Sequence, residues 1–229
     1  MPSLAQRLAA EAVGTFVFVF IGAAVVVTNA FPGAGFGLLG VALAHALALA
    51  VMVTAMMRIS GGHLNPAVTA GLLAGRRIDA RDAALYVAAQ LVGAVAAGFL
   101  VKALLPAGAA SVVAYGTPVI NGQITLAKAI AIEAVLTFML VSAVYGTAVA
   151  KSAPAVGGFG IGLTLLFTIL VGGPLTGAAL NPARAFGPAL AASSWTGHAV
   201  WWIGPILGGL VAGLLWDRVL LKDERAAEG

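Results

Sequence analysis

Two tripeptides, Asn65-Pro66-Ala67 and Asn181-Pro182-Ala183, carry the chemistry that stands out in this chain. Proline is favoured in the first turn of a helix, where its missing N–H costs nothing, and asparagine is a preferred N-cap. Each tripeptide therefore reads as a helix start. The capping side-chain oxygen accepts from a backbone N–H inside the first turn, which fixes the amide and leaves its NH2 group to donate forward. A helix start also carries about half a positive charge. Two such starts facing one point place amide donors within a positive potential. A water molecule there turns its oxygen to the asparagines and its hydrogens outward along the passage. A hydrogen-bonded file then changes polarity at that point, so it does not relay protons, and cations are repelled. Neutral molecules meet neither barrier.

The residues before each start, Gly61-Gly62-His63-Leu64 and Gly177-Ala178-Ala179-Leu180, read as non-helical backbone presenting carbonyl acceptors to such a file. One Asn-Pro-Ala alone is an ordinary capped turn. Here the second copy comes with matching context. Ser60-Gly61-Gly62-His63-Leu64-Asn65-Pro66-Ala67-Val68 aligns with Thr176-Gly177-Ala178-Ala179-Leu180-Asn181-Pro182-Ala183-Arg184, and Glu11-Ala12-Val13-Gly14-Thr15-Phe16 aligns with Glu133-Ala134-Val135-Leu136-Thr137-Phe138. The chain is a tandem duplication.

The elements that must position these residues follow from composition. Of 229 residues, 61% are hydrophobic and 9% charged, and the mean hydropathy is +1.05. A soluble domain carries about 25% charged residues, so a soluble globular enzyme is excluded. Disorder is excluded by the apolar content. Thirty glycines are about twice the usual share of ~7%, as close-packed membrane helices require. The net charge of +4 is scattered in ones and twos, which argues against nucleic acid. With no cysteine there is no disulfide, thiolate metal site or cysteine nucleophile. No metal cluster, cofactor motif or nucleophile–base pair is evident, so no enzyme and no cofactor is expected.

Six stretches reach the ~20 residues that cross a ~30 Å hydrocarbon core, at 8–28, 38–58, 83–105, 127–149, 155–173 and 199–221. The first follows Arg7 and runs to Thr28 without a cleavage site, so it reads as a retained span. Strand alternation is missing, which makes the spans helical. Arg7, Arg58, Arg76, Arg77, Arg81, Lys151, Arg218, Lys222 and Arg225 fall on one side, while 29–37 and 106–124 carry no charge. The positive-inside rule then predicts a multi-pass protein of the cell membrane with both termini cytoplasmic. Two further segments, 66–76 and 182–192, are apolar but too short to cross. Eleven helical residues cover about 16 Å, half a bilayer. Each half, roughly 1–110 and 122–229, thus holds three spans and one short segment within a single membrane domain. Three is odd, so the halves insert inverted, and the short segments enter from opposite faces to meet near the midplane.

Charge within apolar sequence marks further candidates. Arg184 follows the second helix start, where the first half has Val68. An intramembrane arginine normally faces a water-filled cavity. Glu11 and Glu133 recur early in spans one and four, with Thr15 and Thr137 four residues on. Each carboxylate is placed to accept from unpaired N–H groups of the non-helical segment in its own half. His198 with Trp195, Trp201 and Trp202 reads as an interfacial aromatic belt.

Over essentially its whole length the chain resembles the aquaporin (major intrinsic protein) family, on the paired Asn-Pro-Ala motifs, the Glu-x-x-x-Thr-Phe repeats and Gly-Pro-Leu-Thr-Gly-Ala at 173–178. The resemblance implies an all-α integral membrane fold of six spanning helices and two re-entrant half-helices, assembled as a homotetramer in the lipid bilayer with one pore per subunit. It implies passage of water, with the carboxylates as scaffold and Arg184 as the filter arginine. The family's four constriction positions fall on His45, Ile169, Ala178 and Arg184 by spacing from the motifs. Strict water channels tend to carry an aromatic at the first and histidine at the second. The combination here is similar to plant tonoplast intrinsic proteins, which pass water with ammonia, urea or hydrogen peroxide. Glycerol facilitators usually place aspartate after the filter arginine. Here Ala185 stands there, with Ala189 and Trp201-Trp202 as in the water-channel branch. His63 is expected in the cytoplasmic vestibule. A secondary transporter stays open beside the channel, because inverted repeats and broken helices serve transporters too, and its coupling site would need Glu11 or Glu133. A glycerol facilitator also remains an alternative.

Overall fold

The computed structural model describes residues 2–226, with side chains through Glu224, so the Arg225 side chain and the end of the tail lie outside the described residues. In chain order the helices are α1 (Leu4–Asn29), α2 (Gly37–Ser60), α3 (Pro66–Ala74), α4 (Ala80–Leu104), α5 (Ala107–Val112), α6 (Leu126–Val144), α7 (Phe159–Thr176), α8 (Pro182–Ala192), α9 (Val200–Leu215) and α10 (Lys222–Ala226). At their ends α6 and α9 widen into five-residue turns, closed by Ala150 N–H to the Tyr145 carbonyl at 2.9 Å and Leu221 N–H to the Trp216 carbonyl at 2.7 Å. Among the described residues six helices, α1, α2, α4, α6, α7 and α9 with those turns included, are long and apolar enough to cross a membrane.

Side-chain caps explain why several spans start earlier than hydropathy alone places them. Ser3 accepts from Gln6 N–H while the Gln6 side chain accepts from Ser3 N–H, a reciprocal cap that begins α1 at Leu4. Asp79 caps α4 at 2.8 Å and Thr125 caps α6. At the other end of the scale, α7 begins only at Phe159, after Pro154 and the Gly157-Gly158 pair, and then runs through Pro174 to Thr176. The half-helix α3 stops at Ala74, because Arg76 turns left-handed at φ 56°. The uncharged segment 106–124 holds α5 and a tight turn at Ala114–Gly116.

The duplication is visible in the packing. The most extensive pairings are α1 with α4, α6 with α9, and α2 with α7 across the halves. At the first of these, a Cβ on Gly93 would lie 2.1 Å from the Ala12 carbonyl oxygen; at the second, one on Gly208 would lie 2.1 Å from that of Ala134. Each half-helix leans on a span of the opposite half: Gly98 of α4 meets the Gly187 carbonyl of α8, and Gly213 of α9 meets that of Gly71 in α3. Only the absence of side chains allows backbones this near, which is where the glycine excess goes. Phe18, Leu49, Val53, Leu64, Leu140 and Leu180 belong to the central core cluster. Val51, Val92, Val171 and Val211 are exposed on the outside. A water-facing exterior does not carry such a surface; a lipid-facing one does.

Candidate functional site

The two helix starts meet. Asn65 sits in extended backbone (φ −160°, ψ 121°) and its Oδ1 accepts from Ala67 N–H at 2.8 Å. Asn181 repeats this (φ −147°, ψ 110°), accepting from Ala183 N–H at 2.9 Å and Arg184 N–H at 3.2 Å. Pro66 and Pro182 each take the first helical position. The amide nitrogens then cross over. Asn65 Nδ2 donates to the Leu180 carbonyl and Asn181 Nδ2 to the Leu64 carbonyl, both at 2.9 Å. One N–H of each amide is thus committed to the opposite loop and one is left, whereas the capping pattern alone leaves the whole NH2 group facing forward. The Leu64 and Leu180 carbonyls each accept one of these bonds, and each oxygen keeps a second lone pair.

Those loops are unusual backbone. Each begins with a left-handed glycine closing the preceding span, Gly61 at φ 92° and Gly177 at φ 80°. Leu64, Ala178 and Leu180 are also left-handed, at φ 50°, 44° and 52°, a cost on the order of 1–3 kcal/mol each that the surroundings must overcome. The surroundings are buried carboxylates. Glu11 Oε1 accepts from Ser60 Oγ (2.6 Å) and His63 N–H (3.0 Å), and Oε2 from Leu64 N–H and Gln90 Nε2, both at 2.7 Å. Glu133 Oε1 accepts from Thr176 Oγ1 (2.6 Å) and Ala179 N–H (3.1 Å), and Oε2 from Leu180 N–H (2.9 Å). The carbonyls of Ser60 and Thr176 are held in turn by Tyr86 Oη (2.8 Å) and Trp201 Nε1 (2.9 Å). Trp201 is therefore a buried donor, 1% exposed, and not part of an interfacial belt. His198 accepts from Trp202 Nε1 at 3.1 Å and packs edge-on against Trp195. Burial there pushes His198 below the ordinary histidine value. Thr15 and Thr137 are buried, and neither hydroxyl has a hydrogen-bond partner among the described residues.

Ser60, Thr176, Tyr86, Trp201 and Gln90 were not singled out from sequence as parts of this support. The first two were visible as hydroxyls at matched places of the repeat. Tyr86 and Trp201 also match, but aromatic donors in apolar helices are indistinguishable from core residues until the fold is known.

Beyond the caps, Arg184 Nη1 donates to the Gly116 carbonyl at 2.8 Å and Nη2 meets His45 Nε2 at 3.2 Å. His45 Nδ1 lies 2.8 Å from the Val41 carbonyl. A carbonyl only accepts, so Nδ1 holds the proton and Nε2 offers Arg184 its lone pair. His45, Ile169 and Arg184 line a vestibule of about 300 Å³ together with Gly116, Thr117 and Gly177. Ala178 does not line it; its Cβ faces α7, 3.2 Å from where a Cβ on Gly172 would sit. On the other side of the caps, a narrow space of about 10 Å³ is bounded by Gly62, His63, Asn65, Ala179 and Asn181 on one face and by apolar residues such as Leu140 and Ile161 on the other. That is room for about one water molecule. His63 is fixed there by Thr69 Oγ1 at 3.2 Å and by the Tyr86 ring, 5.0 Å away.

Six spans around two half-helices, whose caps meet between a vestibule and a narrow cavity, make the architecture of a membrane channel. The profile of the major intrinsic protein family matches residues 1–216. Aquaporin TIP4-4 of Zea mays is 46% identical over 228 residues, covering 95% of this chain and 88% of that protein. Probable aquaporin TIP3-2 of Oryza sativa subsp. japonica is 43% identical over 97% of this chain and 84% of its own length. Aquaporin TIP2-1 of Arabidopsis thaliana is 39% identical over 93% and 86%. Among solved structures, the aquaglyceroporin from Plasmodium falciparum superposes with a TM-score of 0.80 at 24% identity, covering 96% of this chain and 98% of that one, which shows the shared fold. The chain belongs to the major intrinsic protein family, a family of channels.

Proposed function

We propose that this protein is a passive water channel that also admits small neutral solutes of the size of ammonia, urea and hydrogen peroxide, and that it excludes protons and ions. The observation that carries the reading is the crossed pair Asn65 Nδ2 to Leu180 and Asn181 Nδ2 to Leu64. It holds two positive helix starts face to face and leaves one amide N–H on each side for the permeant. Water accepts from these donors, reorients, and cannot pass a proton through the same point. The apolar wall opposite offers no second set of partners, so the file moves.

In this reading Arg184, His45 and Ile169 form the constriction. Of the five N–H donors of the guanidinium, one is committed to Gly116 and one to His45, leaving the others for solute. Ala178 sits behind the constriction rather than in its wall. The backbone of 61–63 and 177–179 supplies the remaining acceptors. Glu11 and Glu133, holding four and three donors, act as scaffold, which speaks against a coupling site for a transporter. The protein is placed in the cell membrane with both termini cytoplasmic and assembles as a homotetramer, each subunit a single domain with its own pore.

Stopped-flow light scattering on proteoliposomes, with a pH dye trapped inside, tests the proposal. Fast osmotic swelling without acidification is expected. Slow swelling, or proton flow coupled to it, would reject the reading, and solute accumulation against a gradient would establish a transporter in its place.

A further inference from the structure

The turn before Arg184's carbonyl partner is strained. Ala114, Tyr115 and Gly116 are left-handed in succession, at φ 44°, 53° and 81°. For a residue as bulky as tyrosine this is a true outlier, which persists only if its neighbours impose it. Its neighbours do impose it. The Tyr115 ring packs against the cluster of Ala23, Val27, Val101 and Ala110. Lys102 Nζ stands 5.6 Å from the centre of that ring. The same ammonium donates to the Ala191 carbonyl at 2.6 Å, in the last turn of α8, the half-helix whose first turn carries Arg184. Thr117 Oγ1 closes the turn onto the Ala114 carbonyl at 2.6 Å. Gly116 is pressed so close to α1 that a Cβ would fall 2.6 Å from Ala23 Cα. The product of all this is one carbonyl, Gly116 O, held 2.8 Å from Arg184 Nη1.

We infer that Tyr115, clamped by Lys102, is a positioning residue for solute selectivity: it aims the Gly116 carbonyl and thereby fixes where the Arg184 guanidinium stands in the constriction. Lys102 touches both bodies that must stay in register, the loop at Tyr115 and the far end of α8. With the clamp gone, the turn relaxes out of its left-handed conformation and Arg184 keeps only the His45 contact. The guanidinium then swings, and the constriction opens more readily to solutes wider than water. The inference rests on the constriction proposed above.

The test uses the full-length protein in proteoliposomes and reads the ratio of urea to water permeability, because partial misfolding lowers both fluxes together and leaves the ratio unmoved. Arg184→Ala serves as reference and raises the ratio if the constriction is correctly assigned. Tyr115→Ala is expected to raise it about threefold or more, the scale of losing part of one charge-assisted hydrogen bond. Lys102→Met shifts it the same way by less, and Tyr115→Phe and Lys102→Arg, which keep the ring and the cation, return it to the wild-type value. A wild-type ratio in Tyr115→Ala alongside a shifted Arg184→Ala overturns the positioning role while leaving the constriction standing. An unshifted Arg184→Ala removes the constriction and the inference with it. Should Tyr115→Ala fail to fold, Lys102→Met, at the exposed end of α4, decides on its own: a wild-type ratio there overturns the inference.

Discussion

Replacing either buried carboxylate with its amide is expected to cost about the same, although a count of donors would rank them. Glu11 holds four donors and Glu133 three, so Glu11→Gln looks the more damaging change. An amide can turn either end to either set of partners. In the Glu133→Gln variant the amide oxygen keeps Leu180 N–H, while the new NH2 group faces Thr176 Oγ1, a hydroxyl that accepts as well as donates. Only Ala179 N–H is left buried without an acceptor, at about 1–3 kcal/mol. In the Glu11→Gln variant the same orientation keeps Leu64 N–H and Gln90 Nε2, and the new NH2 group donates to Ser60 Oγ. Only His63 N–H is orphaned, again at about 1–3 kcal/mol. Thermal unfolding in detergent should therefore place the two variants together below the wild type. Adding Ser60→Ala to Glu11→Gln takes the hydroxyl acceptor away and should lower stability further than the two single changes summed, by about 1–3 kcal/mol. Water permeability per channel should fall in both variants, since the freed loop carries the carbonyl that anchors the opposite asparagine. A clear ranking of the two single variants, or additivity with Ser60→Ala, would refute the reasoning.

Other expectations concern the constriction and its surroundings. His45→Phe removes the acceptor for Arg184 and fills the vestibule wall. Ammonia and urea flux should then fall about tenfold relative to water in the same vesicles, the scale of one hydrogen bond's worth of barrier; an unchanged ratio would remove His45 from selectivity. Because the chain has no cysteine, mercuric chloride should leave osmotic swelling unaltered, and rapid inhibition reversed by mercaptoethanol would contradict this. Burial lowers the His198 pKa in the folded protein. The unfolded chain then binds the proton more readily, so stability is full above about pH 6.5 and declines as pH falls below it. His198→Phe should flatten the dependence of the unfolding midpoint between about pH 7.5 and 5, and an equally steep decline in that variant would assign it to other groups.

What the sequence displays and what it conceals divide along physical lines. The spans, the half-helices and their duplication are local properties of hydropathy, length and capping order, and they were legible. Asn65 and Asn181 could be read as caps because Asn-Pro fixes the direction of a helix start. Their crossed bonds could not, since a bond from Asn65 to Leu180 depends on how two segments more than a hundred residues apart are docked. Trp201 was misread for the same reason: an indole near a span end is equally suited to the interface and to the Thr176 carbonyl, and only the packing of α9 on α6 decides. The α3 end was misplaced because Arg76 adopts a left-handed conformation that arginine does not advertise. The strained turn at 114–116 escaped notice altogether, having neither charge nor periodicity.

The two halves repeat the same pairings and close glycine contacts while their side chains differ, and the proposed selectivity lies in the difference. Both halves supply a capped helix start, a buried carboxylate and an aromatic donor, so the passage through Asn65 and Asn181 looks the same from either side. Symmetry alone would give a pore equally wide at both ends. The second half places Arg184 where the first has Val68, and the intervening loop supplies Gly116 to hold it. The first half places Gln90 where the second has Pro205, and that amide stiffens the loop facing the narrow cavity. In the proposed reading, reorientation of water uses only the shared parts and choice among solutes the unshared ones, so changes at Arg184, His45 or Tyr115 should move selectivity, and changes at the carboxylates should move stability and flux together.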